Sequence, residues 1–338
     1  MVEPRTSASA KAARETRRRV TTADVARSVG VSRATVGFVL NDTPGQTISE
    51  ATRERVLAAA AELGYRPHTA ARALASGKTR IILLILPDWP LDFTLRRHVE
   101  EATLALDEAG YTLVTYTPLT DGHSRPLWES LQPDVAMSIT PLPAERIAQL
   151  RAAGVTKIVP DPDRFVIDEY SEPGPGMQVM HLIERGHRRL AVIGSSDVRI
   201  ADLVAVRAER AQAAASEHAA DVVFTARIAL EETEAAHAIE SARVAGATGI
   251  VAYNDDIAFA LLTAALRAGI QVPGELAIIG HDDTPLAGLS IPRLSSVRLD
   301  ISGLGRYLAG IALSVAEGFA PPHAEPTTLV QVISRETT

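Results

Sequence analysis

Two short helical periods joined by a tight turn in residues 21–41, TTADVARSVGVSRATVGFVLN, constrain this chain more than any other stretch of it. Thr21 or Thr22 offers a side-chain oxygen to cap the first period, in which Val25, Ala26 and Val29 share one face. Gly30 supplies the backbone freedom of a tight turn. Ser32 caps the second period, where Val36, Val39 and Leu40 repeat the apolar stripe while Arg33, Ala34, Gly37 and Phe38 point outward. This is the pattern of a helix-turn-helix, whose second helix enters a DNA groove. It also fits two helices of a purely structural bundle, so the flanking sequence has to decide.

A third helix follows, with Ser49 as cap, Val56, Leu57, Ala60 and Leu63 as its expected buried stripe, and Gly64 as a left-handed stop. Three helices close a small core. Pro67 then breaks the chain before an alanine-rich segment that ends at Gly77. The runs DVARSVGVSRATV, VLN, SEATRERVLAAAAELGYRP and AARALASGKT, in that order, resemble the headpiece and hinge of the lactose/galactose repressor (LacI/GalR) family. The resemblance implies a DNA-binding headpiece at 20–65, a hinge at 66–79, and DNA contacts at Thr21, Ser32, Arg33, Ala34, Thr35, Phe38, Asn41, His68, Ala71 and Leu74. Leu74 would be the minor-groove wedge, with Ala71 keeping the approach close. Phe38 departs from the pattern, because it stands where the family often carries a base-reading arginine. It either touches a thymine methyl or packs back onto the headpiece, which leaves Arg33 and Ala34 as the candidates for direct readout.

Charge follows the same division. The chain carries a net −7, yet residues 1–80 hold 14 Lys+Arg against 7 Asp+Glu, so the basic excess sits on the segment with the helix-turn-helix. A basic end on an acidic body suits neutralisation of phosphates. Residues 1–19, with Arg14, Arg17, Arg18 and Arg19 and few large apolar side chains, read as a disordered basic arm. They contain no apolar signal-peptide core, and the longest apolar run, IILLILP from Ile81, is a buried strand's length and far short of a membrane span. A cytoplasmic location is the expectation. The absence of cysteine excludes disulfides, thiolate metal sites and cysteine catalysis.

From residue 80 onward short apolar runs alternate with helical stretches: IILLIL, YTLVTY, DVAMSI, TKIV, RLAVIG, TGIVAY and LAIIG. Alternation of this kind gives parallel sheets with helices on both faces, an α/β fold. The length allows two such units, and ligands of doubly wound sheets bind beyond the carboxyl ends of the strands. The family resemblance implies a two-lobed, periplasmic-binding-protein-like core at 80–338 that binds the effector and dimerises. Lobe 1 is expected at about 80–160 and 288–319, and lobe 2 at about 161–287 and 320–338.

HLIERGHRRLAVIG, AYNDDIAFALLTAALRAGIQVPGELAIIGHDD and PRLSSVRLD carry the resemblance into the second lobe. Carried over by position, the family's effector contacts fall on Arg207, Asn254 and Asp282. An amide, a carboxylate and a forked guanidinium suit neighbouring hydroxyls. Structural roles are also open to them: Asn254 or Asp255 as a helix cap, Arg207 as a surface ion pair. The segment DWPLDF replaces a longer family loop and offers Trp89 and Phe93 as aromatics for stacking on a sugar face.

Catalysis finds no anchor. Ser76-Gly77-Lys78-Thr79 imitates the end of a phosphate-binding loop, but Arg72 stands where its first glycine belongs and the run precedes a strand. His281, Asp282 and Asp283 are three consecutive residues that cannot all face one metal ion. No enzyme activity, metal or cofactor is expected. The reading is a homodimeric regulator, most simply a repressor, that binds operator DNA with an inverted repeat and responds to a small ligand, a sugar or sugar derivative. A regulator with a degenerate pocket and a sugar-binding protein without a DNA role are the alternatives.

Overall fold

The computed structural model describes residues 20–41, 45–65, 77–118, 125–161, 173–322 and 330–338. The chain divides into two units, Met1–Thr79 and Arg80–Thr338. The basic arm at 1–19 and the hinge residues His68, Ala71 and Leu74 lie outside the described residues.

The first unit holds α1 (Thr22–Val29), α2 (Arg33–Leu40) and α3 (Glu50–Glu62). Thr21 donates its backbone N–H and its hydroxyl to the Asp24 carboxylate, at 2.9 and 2.7 Å, which fixes where α1 begins. Gly30 ends α1 at φ +72, and two residues on Ser32 accepts the Thr35 N–H at 3.0 Å to open α2. Val25, Val29, Val36, Val39, Val56 and Ala60 form the core of the three helices. Leu57 and Leu63 correct the expected stripe of α3, being 48% and 39% exposed. Val56 already fills the space between the other two helices, and a residue one position along the helix is turned about 100° away from it.

The second unit contains two sheets. The first has the order β2-β1-β3-β4, all parallel, from β1 (Ile81–Ile85), β2 (Thr112–Tyr116), β3 (Val135–Ser138) and β4 (Ile158–Val159). It is covered by α4 (Phe93–Glu108), α5 (Leu127–Leu131) and α6 (Ala144–Ala152), and by α11 (Ile301–Glu317) near the far end of the chain. Alternation along β1 explains why both faces are filled. Ile82 and Leu84 enter the core shared with α4 and α11, while Leu83 and Ile85 enter the one around Trp128 and Leu150.

The second sheet has the order β10-β9-β8-β7-β5-β6, from β5 (Arg189–Ser195), β6 (Asp221–Ile228), β7 (Gly249–Ala252), β8 (Ala277–His281), β9 (Ser295–Arg298) and β10 (Gln331–Ile333). Only β10 runs antiparallel to its neighbour. Helices α7 (Gly174–Glu184), α8 (Ala201–Glu217), α9 (Glu232–Val244) and α10 (Asp255–Arg267) cover its faces. The expected crossing to lobe 1 near residue 288 is corrected here. Strand β9 pairs with β8, Ile279 opposite Ser295 and His281 opposite Val297, so the chain stays in the second lobe through Arg298 and leaves it just before α11. The alternation of SSVR is legible as a strand, but nothing in it says which sheet it joins.

Among the described residues no helix is long and apolar enough to cross a membrane.

The contact between α4 and α11 binds the two distant parts of lobe 1, and Gly305 sits in it with no room for a side chain. A β-carbon there would lie 2.8 Å from the His98 carbonyl oxygen and 3.0 Å from the Glu101 β-carbon. Gly305→Ala should therefore push the helices apart and destabilise the core by about 1–3 kcal/mol in a urea melt. An unchanged midpoint would show that the two helices are less closely fitted than this.

Candidate functional site

Two surfaces gather the residues singled out by sequence. On the headpiece, Arg33 and Ala34 open α2 and are exposed, Thr35 is half-buried, and Asn41 is exposed at the helix end, where its N–H reaches the Gly37 carbonyl at 3.0 Å. Ser32 holds the first turn, with its hydroxyl 2.8 Å from that of Thr35. Phe38 is half-buried and is not among the side chains that build or flank the headpiece core. Arg55 donates to the Val29 carbonyl at 2.6 Å and so locks α3 onto the end of α1. The three-helix scaffold thus presents the first turn of α2, with Arg33, to solvent.

In the core unit the carboxyl ends of β1, β7 and β8 converge on a cavity of about 280 Å³. Asp92, Phe93 and Thr94 of the first lobe form one wall, and Asn254, Asp256, Asp282 and Thr284 of the second form the other. Helix starts explain the placement, because Asp92 caps α4 by accepting the Leu95 N–H at 2.8 Å and Asn254 caps α10 by accepting the Ile257 N–H at 3.0 Å. Capping uses the Asn254 carbonyl oxygen and leaves its amide NH₂ for other partners. Asp255 turns inward instead, accepting from the Ser296 hydroxyl and the Thr284 N–H, both at 2.6 Å. Burial pushes its carboxyl up to about 7, against the pull of those two bonds.

Asp282 stands at φ +98, a backbone conformation rarely adopted by residues with a side chain. Burial raises its pKa, but the neighbouring His281 and Arg207 outweigh that and hold it below the ordinary carboxylate range. His281 Nδ1 lies 2.7 Å from its oxygen, and the Arg207 guanidinium 3.7 Å. Arg207 is itself fixed: it donates to the Tyr253 carbonyl at 2.8 Å and lies over the Tyr253 ring at 4.7 Å from the centroid. The predicted Arg207, Asn254 and Asp282 therefore meet at one end of the second sheet. Phe93 lines the cavity, with Arg96 above its ring. Trp89 does not stand in the cavity wall. It is half-buried and packs against the apolar clusters of both lobes.

Sequence reasoning missed several contributors, Asp256 and Thr284 of the second-lobe wall among them. Asp92 carries a signal, an aspartate just before an amphipathic helix. Thr94, whose hydroxyl is buried without a hydrogen-bond partner among the described residues, carries none. Gln178 carries none either. It is buried on α7 and donates to the carbonyls of Ala252 and Gly280, at 2.9 and 2.8 Å, clamping the ends of β7 and β8 beneath the site.

Two family models match the chain: bacterial regulatory proteins of the lacI family over residues 21–68, and a periplasmic binding protein-like domain over residues 179–338. The HTH-type transcriptional regulator DegA of Bacillus subtilis is 30% identical over 304 residues, which cover 83% of this chain and 87% of DegA. The ribose operon repressor of the same organism is 28% identical over 342 residues, covering 93% of this chain and 97% of the repressor. Among solved structures, the lac repressor dimer bound to operator and the anti-inducer ONPF superimposes with a TM-score of 0.73 at 22% identity, covering 95% of this chain and 99% of that one. With a DNA-reading headpiece, a two-lobed core and a relative of this identity along most of its length, the chain belongs to the lacI family of bacterial regulatory proteins.

Proposed function

We propose that this transcriptional regulator binds an inverted-repeat operator as a homodimer, and that a small polyhydroxylated ligand held between the core lobes sets its affinity for DNA. The cavity that both lobes wall carries this reading. A ligand touching Asp92 and Thr94 on one side and Asn254 and Asp282 on the other binds best when the lobes are drawn together. That preference is what allows binding to shift an equilibrium between two arrangements. The ribose operon repressor is named for a sugar operon, and the lac repressor structure was solved as a dimer on its operator, so relatives support both halves of the proposal. Two-fold symmetry doubles the phosphate and base contacts that one headpiece makes. Leu289 and Ile291, 75% and 91% exposed in the segment before β9, would offer apolar surface to a second copy.

Arg33 is assigned to a base edge. On a duplex selected from random sequence, Arg33→Ala should weaken binding by about 1–3 kcal/mol and relax the preference at one base pair of each half-site. Equal losses on selected and random duplexes would make Arg33 a phosphate contact instead.

Asp282 is assigned to the ligand, with Arg207 orienting it. Asp282→Ala should leave operator affinity intact and abolish the response to ligand, read as a gel shift with and without the small molecule. A variant that still releases or tightens on its operator normally would place the ligand elsewhere.

A further inference from the structure

We propose that Phe38 is a specificity residue of the headpiece, selecting thymine at one base pair of each half-site by seating the thymine C5-methyl against its ring. This rests on the operator reading above and adds to it the kind of base edge that α2 accepts beyond its first turn.

The position of the ring comes from the helix itself. At about 100° per residue, the buried Val36 and Val39 fix the inner face of α2 and bring Ala34, Gly37, Phe38 and Asn41 round to the other side. Ala34 and Asn41 are exposed, and a β-carbon added at Gly37 would meet nothing within 4 Å. Phe38 is half-buried on this open face. Leu40 and Tyr65 are among the side chains packed against the headpiece core, and Phe38 is not. An aromatic ring that neither builds nor flanks the core therefore stands on the surface that a recognition helix turns toward base edges.

The chemistry of that surface decides what the ring can read. Ala34 and Gly37 bring no side-chain donor or acceptor, which leaves Arg33 at the start of α2 and Asn41 at its end as the polar groups on either side of the ring. A guanine, adenine or cytosine edge pressed onto a phenyl ring gives up hydrogen bonds to water and gains none in return. Thymine differs, because its C5-methyl is the apolar feature of the major-groove edges and an aromatic or small apolar side chain meets it well. Burying one methyl is worth a factor of about 4 in affinity, and two symmetric half-sites multiply it to about 15. The preference is modest at each half-site and becomes useful through the dimer.

The probe is a duplex selected from random sequence by the full chain, with binding read by fluorescence anisotropy. Thymine is replaced by deoxyuridine one position at a time, which removes the methyl and leaves every hydrogen-bonding group in place. At one base pair this should weaken binding about 4-fold, and about 15-fold when both half-sites are changed. At the same base pair 5-methylcytosine should bind more tightly than cytosine, because it restores the methyl on a different base. Phe38→Ala and Phe38→Gln should bind the thymine and deoxyuridine duplexes equally there, while keeping the wild-type affinity for random duplexes that phosphate contacts supply. A cross-link needs no variant at all: 5-iododeoxyuridine at that base pair, irradiated in the complex, should attach to Phe38. The proposal is overturned if no thymine methyl in the half-site matters, if both Phe38 variants keep the preference, or if the cross-link maps to another residue. A full chain that binds no selected duplex better than random sequence removes the operator reading as well.

Discussion

Holding a charged carboxylate at the buried end of β8 is the requirement on which the geometry of the cleft depends. Asp282 is 7% exposed, and a buried charge is tolerated only when it is paired and hydrogen-bonded. His281 and Arg207 supply the pairing. The backbone that carries it is strained, at φ +98 followed by Asp283 at φ +46, and strain of this kind persists only where surrounding contacts over-determine the conformation. Those contacts are present. The Asp282 N–H reaches the Val297 carbonyl at 2.7 Å, and Asp283 is held by Arg298 and by Arg335 at 2.5 and 2.6 Å. Asp255 ties the next residue, Thr284, to the start of α10. The result is a carboxylate fixed at the mouth of the sheet with little freedom to follow a ligand.

Rigidity on the second lobe gives the first lobe its role. Asp92, Phe93 and Thr94 sit at the start of α4, whose packing on α11 ties the helix after β1 to a segment about 200 residues later. The Glu101 carboxylate, bridged by Arg97 and Arg306 at 2.7 and 2.8 Å, reinforces that contact. Each lobe is therefore a packed body. On the function proposed above, a ligand acts by changing how the two bodies meet, and Trp89, packed against the apolar clusters of both, stands where such a change would be felt. Interfaces of this kind have discrete arrangements and do not deform continuously.

The local grammar of the chain was legible because it is written in short-range chemistry. Ser32, Gly30 and Asn254 each announce a helix boundary, and each is found at one. The apolar runs of β1, β7 and β8 are strands because nothing else buries so many branched side chains on two faces. Arg207, Asn254 and Asp282 were found only through family resemblance, since 75 residues separate the first from the last and no periodicity links them. What stayed hidden depends on distance in space. The membership of β9 in the second sheet, the packing of Trp89 and the clamp made by Gln178 are all set by partners far along the chain. Leu57 and Leu63 show the same limit, because an apolar residue on a short helix does not announce whether the neighbouring helices reach it.

Reciprocal linkage between the two sites is the most direct test. Operator affinity would be measured by fluorescence anisotropy with and without saturating small molecule, choosing one whose binding requires Asp282. Affinity for that molecule would be measured with and without operator. Coupling requires the same factor in both directions, of the order of 5- to 150-fold. Operator affinity that is indifferent to a ligand seated against Asp282 would contradict the account.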